Sequence, residues 1–237
     1  DNMNISSKEI KNRIVDLFEI NPMLGHRGCR LAVSFPEITE MQVEAIFLAC
    51  VKLINEGLKP NPEIMIPLIS TVGEFENQKK IIKNIAKKLN KKLGIKIKYS
   101  LGTMIELPRA CLTADKIAQH ADFFSFGTND LTQTTFGFSR DDIGSFIQDY
   151  FENDILLEDP FKTIDQKGVG NLVQIATEKG RQSKPKIKVG ICGEHGGDPK
   201  SIYFFDNINL DYVSCSPYRV PIARLSAAKN AIRNAKQ

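Results

Sequence analysis

Residues 120–140 read HADFFSFGTNDLTQTTFGFSR, and the apolar run Phe123–Phe126 within them meets the polar string Gly127-Thr128-Asn129-Asp130 without a spacer. Such a short aromatic run predicts a buried strand. A strand that delivers polar groups at its carboxyl end suits a parallel α/β fold, where ligands sit at the carboxyl ends of the strands. There Asp130 can coordinate a metal and Gly127 lets backbone N–H groups approach an anion. Taken alone, the tetrapeptide also fits a plain Gly-Asn-Asp turn.

The rest of the chain alternates strands and helices around this unit. Strands are expected at 63–70, 96–104, 187–192 and 212–215, and helices at 72–93, 113–120, 166–181 and 198–205, with a closing helix from Pro221 to about Ala235. Ser70 and Thr71 are candidate caps for the first of these helices and Thr113 for the second. A long excursion covers 131–164. Residues 1–60 read as a helical and loop lead-in, with helical patterns at 8–18 and 38–55, and 61–237 as βα repeats of one unit spanning 1–237. Alternation of this kind specifies a parallel sheet covered by helices. It supplies five strands where a closed (β/α)8 barrel needs eight and takes about 250 residues. With no GxGxxG fingerprint and no P-loop, a dinucleotide or P-loop kinase fold has no anchor.

Composition narrows the class. The chain has 237 residues, 42% hydrophobic and 25% charged, enough to bury a sizeable core. No run approaches the roughly 18 apolar residues of a membrane span, and the first residues lack the apolar core of a secretory signal. The chain opens on Asp1 rather than Met, which leads us to expect a piece of a longer protein. Five cysteines, at 29, 50, 111, 192 and 215, lack metal spacing and predict reduced thiols in a cytoplasmic setting. The net charge of +4 owes much to nine lysines between Lys79 and Lys98, a stretch without an acid. Ile81, Ile82, Ile85, Ala86, Leu89 and Leu93 recur among them at helical spacing, and no aromatic residue interleaves, so they read as a solvated helix face rather than a nucleic-acid surface.

Every expected strand end carries polar residues: Ser70, Thr71 and Glu74; Glu106; Asn129 and Asp130; Cys192, Glu194 and His195; Ser214, Ser216 and Arg219. Five such ends on one rim look like an active site assembled from several strands. Glu106 and Asp130 follow neighbouring strands about 5 Å apart, so both can reach one Mg²⁺, which takes one or two carboxylates and keeps waters. The alternative pairs Glu106 with Arg109 on the surface and makes Asp130 a turn cap. Cys192 sits between Gly190 and Gly193, and a thiol with a pKa of about 8.5 can move a proton to or from carbon; a buried cysteine is also a common inert core residue. Arg27 and Arg30 lie in a Gly-rich turn where guanidinium forks can hold carboxylate or phosphate, or form surface ion pairs. For Arg219 a structural role is favoured.

The strings NPMLGHRGCRLAV, EIMIPL, GTMIELPRA, FFSFGTNDLTQTTFGFSRDD, DPF with GVG, CGEHGGDP and DYVSCSPYRVPIARL resemble, in order and over nearly the whole chain, the C-terminal domain of the pyruvate phosphate dikinases. The wider phosphoenolpyruvate-utilising enzymes, including phosphoenolpyruvate synthases and enzyme I of the sugar phosphotransferase system, share the NPxxGxR and GTND elements. The resemblance implies an α/β fold, the C-terminal part of a TIM-type (β/α)8 barrel holding strands four to eight. It implies Mg²⁺ as cofactor on Glu106 and Asp130, substrate contacts from Arg27, Glu106, Gly127, Thr128, Asn129 and Asp130, and Cys192 as the residue that moves the proton at C3.

The implied reaction is reversible phosphoryl transfer between a phosphohistidine and pyruvate to give phosphoenolpyruvate. ATP and phosphate are consumed, and AMP and pyrophosphate released, on a separate nucleotide-binding domain, and the phosphohistidine rides on a third, swivelling domain. A homodimer is implied as well. The departures are specific. None of His26, His120 and His195 lies in the family's Thr-Ser-His context, and two substrate arginines of the family's early strands have no match here. The chain alone is therefore expected not to turn over ATP. A phosphoenolpyruvate synthase-like enzyme, a Mg²⁺-dependent lyase acting on pyruvate-like acids, and a non-catalytic binding fragment remain as other readings.

Overall fold

The computed structural model describes residues 6–16 and 24–235. Three helices lead in: α1 (Ser7–Asp16), α2 (Cys29–Ser34) and α3 (Pro36–Asn55). Then follow β1 (Glu63–Ile66), α4 (Val72–Leu93), β2 (Ser100–Ile105), α5 (Pro108–Leu112), α6 (Ala114–Ala118), β3 (Phe123–Gly127) and α7 (Thr128–Phe136). A short helix α8 (Ile147–Glu152), then α9 (Val169–Ser183), β4 (Lys188–Cys192), α10 (Pro199–Asn207), β5 (Tyr212–Val213) and α11 (Val220–Asn234) complete the chain. The tail of the first helical pattern, residues 17–18, and Asn21-Pro22-Met23 of the Gly-rich turn lie outside the described residues.

All five strands are parallel and lie in the order β1-β2-β3-β4-β5. Doubly wound sheets reverse their strand order at a switch point. Here each crossover steps the same way, so the sheet is an arc of the kind a (β/α)8 barrel closes. β3 is buried along its whole length, which is why its sequence is a continuous apolar run rather than an alternating one.

Local chemistry sets the element ends. In α4 the Thr71 hydroxyl accepts from the Glu74 N–H (3.2 Å) while Glu74 accepts from the Thr71 N–H (2.7 Å), a complete capping box. The helix buries Phe75, Ile82, Ile85, Ala86 and Leu89, turns Lys80, Lys83, Lys87, Lys88, Lys91 and Lys92 to solvent, and stops at Gly94 in the left-handed region. Glu74, expected among the rim groups, is thus taken up by the cap.

β1 ends at Ile66, four residues short of the expected strand. Pro67 has no N–H for the ladder and Leu68 adopts φ 58°, which turns its own N–H inward. β2 begins at Ser100 rather than Lys96, because the Ile97 N–H is held by the Asn90 side chain (3.2 Å) at the end of α4. The largest difference is after β3, where helix α7 starts at once instead of a loop. Gly127 is an acceptable N-cap, and Asp130 puts its negative charge in the first turn, where the helix dipole favours it. The excursion beyond it has its own aromatic cluster: Phe138 stacks on Phe136 and meets Phe146 and Tyr150 edge-on, with centroids 5.1–5.8 Å apart.

Candidate active site

The carboxyl ends of β2, β3 and β4 bring Glu106, Gly127 and Cys192 side by side. Gly127 pairs in register with Cys192, and Phe126 with Ile105, the residue before Glu106. Helix α7 springs from Gly127, placing Thr128, Asn129 and Asp130 in its first turn, at the positive end of its dipole. Arg27, from the turn before α2, reaches across and its Nη2 donates to Asp130 Oδ1.

Glu106 is 2% exposed, and its Oε1 accepts the inward-turned Leu68 N–H at 2.7 Å. The truncated first strand therefore has a purpose in the site. Burial pushes the Glu106 carboxyl up to about 7, opposed by the Leu68 N–H and reinforced by the charge of Asp130, which lies within hydrogen-bonding reach. Arg109 donates to the Ser70 carbonyl, so the surface Glu106–Arg109 pair does not form. Glu106 and Asp130, two neighbouring carboxylates of which one is buried, are the residues that could hold a divalent cation; no group of three or more His, Cys, Asp or Glu side chains placed to hold one occurs among the described residues. Arg27 Nε and Asn129 Oδ1 are buried with no hydrogen-bond partner among the described residues, two further polar atoms for a ligand to engage.

A pH dependence follows from Glu106. Its folded pKa lies above the unfolded value, so the protonated form favours folding; that contribution is complete below pH 4.5 and lost as pH rises through 7. In chelator-treated protein, Glu106→Gln should gain urea resistance relative to the parent by on the order of 3 kcal/mol between pH 4.5 and pH 8. Parallel stability profiles for the two proteins would show that Glu106 is not held protonated.

Cys192 is half-buried, with Sγ 3.5 Å from the Phe126 carbonyl. Burial raises its pKa; a hydrogen bond with Ser125 opposes, and the charges of Glu106 and Asp130 reinforce. The thiol therefore holds its proton at neutral pH. Cys29 and Cys111 are fully buried and pushed by burial to about 12, which marks them as packing groups.

Other expected groups fall elsewhere. Arg30 donates to the Gly25 carbonyl (2.9 Å) and so braces its own turn. Glu194 pairs with Arg140 at 3.4 Å on the surface. Arg219 lies against Gly197 and lines a separate polar cleft with Arg140, Lys162 and Asp198. Thr128 is 0% exposed as a whole residue and Gly127 is buried as well, so of the four residues 127–130 expected to contact substrate only Asn129 and Asp130 are open to the rim. Sequence reasoning missed the Leu68 N–H, the Arg27–Asp130 pair and the bonding of His195. A Pro-Leu pair straight after a strand is a faint signal for the first, and nothing local encodes the other two.

This chain belongs to the phosphoenolpyruvate-utilising enzymes: the family model "PEP-utilising enzyme, PEP-binding domain" matches residues 4–232. Among its relatives are pyruvate, phosphate dikinases. The chloroplastic enzyme of Flaveria trinervia is 58% identical over 225 residues, covering 95% of this chain and 24% of that protein. Pyruvate, phosphate dikinase 2 of Zea mays is 58% identical over 217 residues, covering 92% and 25%, and the chloroplastic dikinase 1 of Arabidopsis thaliana is 56% identical over 225 residues, covering 95% and 23%. The chain thus spans about a quarter of the length of these relatives.

Proposed function

We propose that this chain is the pyruvate/phosphoenolpyruvate site of a pyruvate phosphate dikinase and forms one partial barrel domain over residues 1–237. The observation that carries the reading is the convergence of Glu106, Asp130, Arg27 and Cys192 on one rim, in a chain of this family. Arg27, with an open Nε beside its bond to Asp130, holds the substrate's carboxylate or phosphate. Asn129 and Asp130, in the first turn of α7, face the same anion, while the buried Gly127 and Thr128 back that turn. Glu106 and Asp130 are the residues that would hold the Mg²⁺ implied by the family resemblance, and there it would supply positive charge against the oxygen that loses the phosphoryl group.

The proton inventory is simple. When phosphoenolpyruvate gives its phosphoryl group to the phosphohistidine domain of the same full-length enzyme, the remaining enolate needs one proton at C3. The protonated Cys192 thiol supplies it and is left as thiolate; in the opposite direction the thiolate removes that proton from pyruvate. The chain contains neither the nucleotide-binding nor the phosphohistidine part of such an enzyme, so alone it should not turn over ATP.

Full-length protein in D₂O should exchange the C3 protons of pyruvate when Mg²⁺ or Mn²⁺ is added. Asp130→Asn should weaken Mn²⁺ binding by at least about tenfold. No exchange by the parent protein, or unaltered Mn²⁺ affinity in the variant, would remove the reading or that ligand respectively.

Two further parts of the reading concern setting. No helix among the described residues is long and apolar enough to cross a membrane, and the cysteines are all free, which suits the cytoplasm or an equally reducing organelle interior. The outer edges of β1 and β5 leave ladder groups for other segments or chains to cover. We read the assembly as a homodimer; light scattering of the full-length protein should give twice the subunit mass, and a concentration-independent single-subunit mass would refute it.

A further inference from the structure

His195 has no place in the proton inventory above, yet it is 0% exposed and makes two good hydrogen bonds. Its Nε2 lies 2.8 Å from the Pro160 carbonyl and its Nδ1 2.7 Å from the Thr128 hydroxyl. A carbonyl can only accept, so Nε2 carries the ring hydrogen and Nδ1 is left as a lone pair, which the Thr128 hydroxyl must meet as donor. That hydroxyl has one hydrogen. Its other acceptor, the Cys192 carbonyl, is 3.5 Å away, a much weaker partner.

We propose that His195 is a positioning residue that clamps the first turn of α7, through the Thr128 hydroxyl, to the Gly193–Gly197 segment that follows Cys192. Three pieces of chain meet at this ring: the end of β3, the segment after β4, and Pro160 in the long connection before α9. Gly193, at φ 110°, closes the same contact from above: a Cβ there would sit 3.3 Å from the Thr128 hydroxyl and 3.4 Å from Asn129 Oδ1. The clamp therefore sets the direction of the Thr128, Asn129 and Asp130 amides and holds that turn against the segment leading from Cys192. Burial lowers the His195 pKa, which keeps the required lone pair in place.

The two halves of the ring can be removed separately. Asn keeps an acceptor near the Nδ1 position and loses the Pro160 bond; Gln keeps a group near Nε2 and loses the Thr128 bond. In the full-length protein His195→Gln and Thr128→Val should each lower C3 exchange of pyruvate by about 100-fold, as expected for a displaced turn. The double variant should be no slower than either single one, and His195→Asn should retain most of the rate.

This activity arm rests on the proposed function, so hydrogen–deuterium exchange of residues 128–136, measured without substrate, tests the clamp independently. Faster amide exchange in His195→Gln than in His195→Asn, at equal overall stability, is the expected result. Should the parent protein show no C3 exchange, the functional reading falls and the amide measurement alone decides the clamp. Equal amide protection in both variants, or multiplicative rate losses in the double variant, would overturn the clamp.

Discussion

Cys192→Ala, placed in the full-length protein, is expected to lose phosphoenolpyruvate formation by about 10²- to 10⁴-fold, the range a positioned acid–base group contributes, while phosphohistidine formation from ATP continues. Under the proposed function the two half-reactions should separate, because the ATP-dependent one would need no group at this rim. Packing argues the same way. Cys192 is half-buried at a strand end, and alanine keeps its Cβ, so the sheet register with Gly127 is preserved. Cys192→Ser should fail nearly as badly, since a hydroxyl in the same place is a far weaker acid than a thiol. C3 exchange and phosphoenolpyruvate formation are measured side by side with phosphohistidine formation. Equal loss of all three would indicate a folding defect, and unchanged turnover would remove Cys192 from the chemistry.

How much of this was legible in the sequence depends on whether the cause was local. The continuous apolar run of β3 and the helical spacing of α4 are local patterns, and both predicted their elements. Thr71, a candidate cap by residue type, proved to cap α4 through a reciprocal bond with Glu74. Thr113, named on the same grounds, does occupy the N-cap position of α6, but its hydroxyl donates back to the Arg109 carbonyl (2.9 Å) and makes no cap bond, because α5 occupies the residues just before it. Propensity marks a candidate, and the preceding turn decides.

At the site, residue types and strand ends were enough to nominate Glu106, Asp130 and Cys192, whereas Arg27 came from the Gly-rich turn before α2 and was singled out from Arg30 only by the family resemblance. These signals were not enough to separate the carboxylate pair from a surface Glu106–Arg109 bridge. That distinction came from Leu68, whose positive φ aims an N–H at Glu106 across 38 positions of sequence. Burial and long-range partners raise the Glu106 pKa, and neither is written in the GTMIELPRA string.

Gly127→Ala should be as damaging as loss of a metal ligand, although it adds one methyl group. The backbone at Gly127, φ −89°, is open to any residue, so conformational freedom is not the reason for glycine here. The reason is space. A Cβ would lie 2.2 Å from Glu106 Oε2, 2.8 Å from Glu106 Cβ and 2.7 Å from Met104 Cε. Met104 can swing away, but Glu106 is fixed by its bond to the Leu68 N–H. Relief must come from moving Glu106 away from Asp130, which breaks the carboxylate pair. We expect Mn²⁺ affinity and C3 exchange to fall by about 100-fold or more, since displacements near 1 Å in such sites have effects of this size, with a stability loss of about 1–3 kcal/mol from overpacking. Gly137→Ala is the informative comparison. Its φ of 69° makes alanine strained, by about 1 kcal/mol, yet no atom lies within 4 Å of the added Cβ. It should therefore lose stability to a similar degree while keeping Mn²⁺ affinity and exchange. If both variants bound Mn²⁺ like the parent, the steric role of Gly127 beside Glu106 would be refuted; if both lost it equally, the effect would come from α7 as a whole rather than from the carboxylate pair.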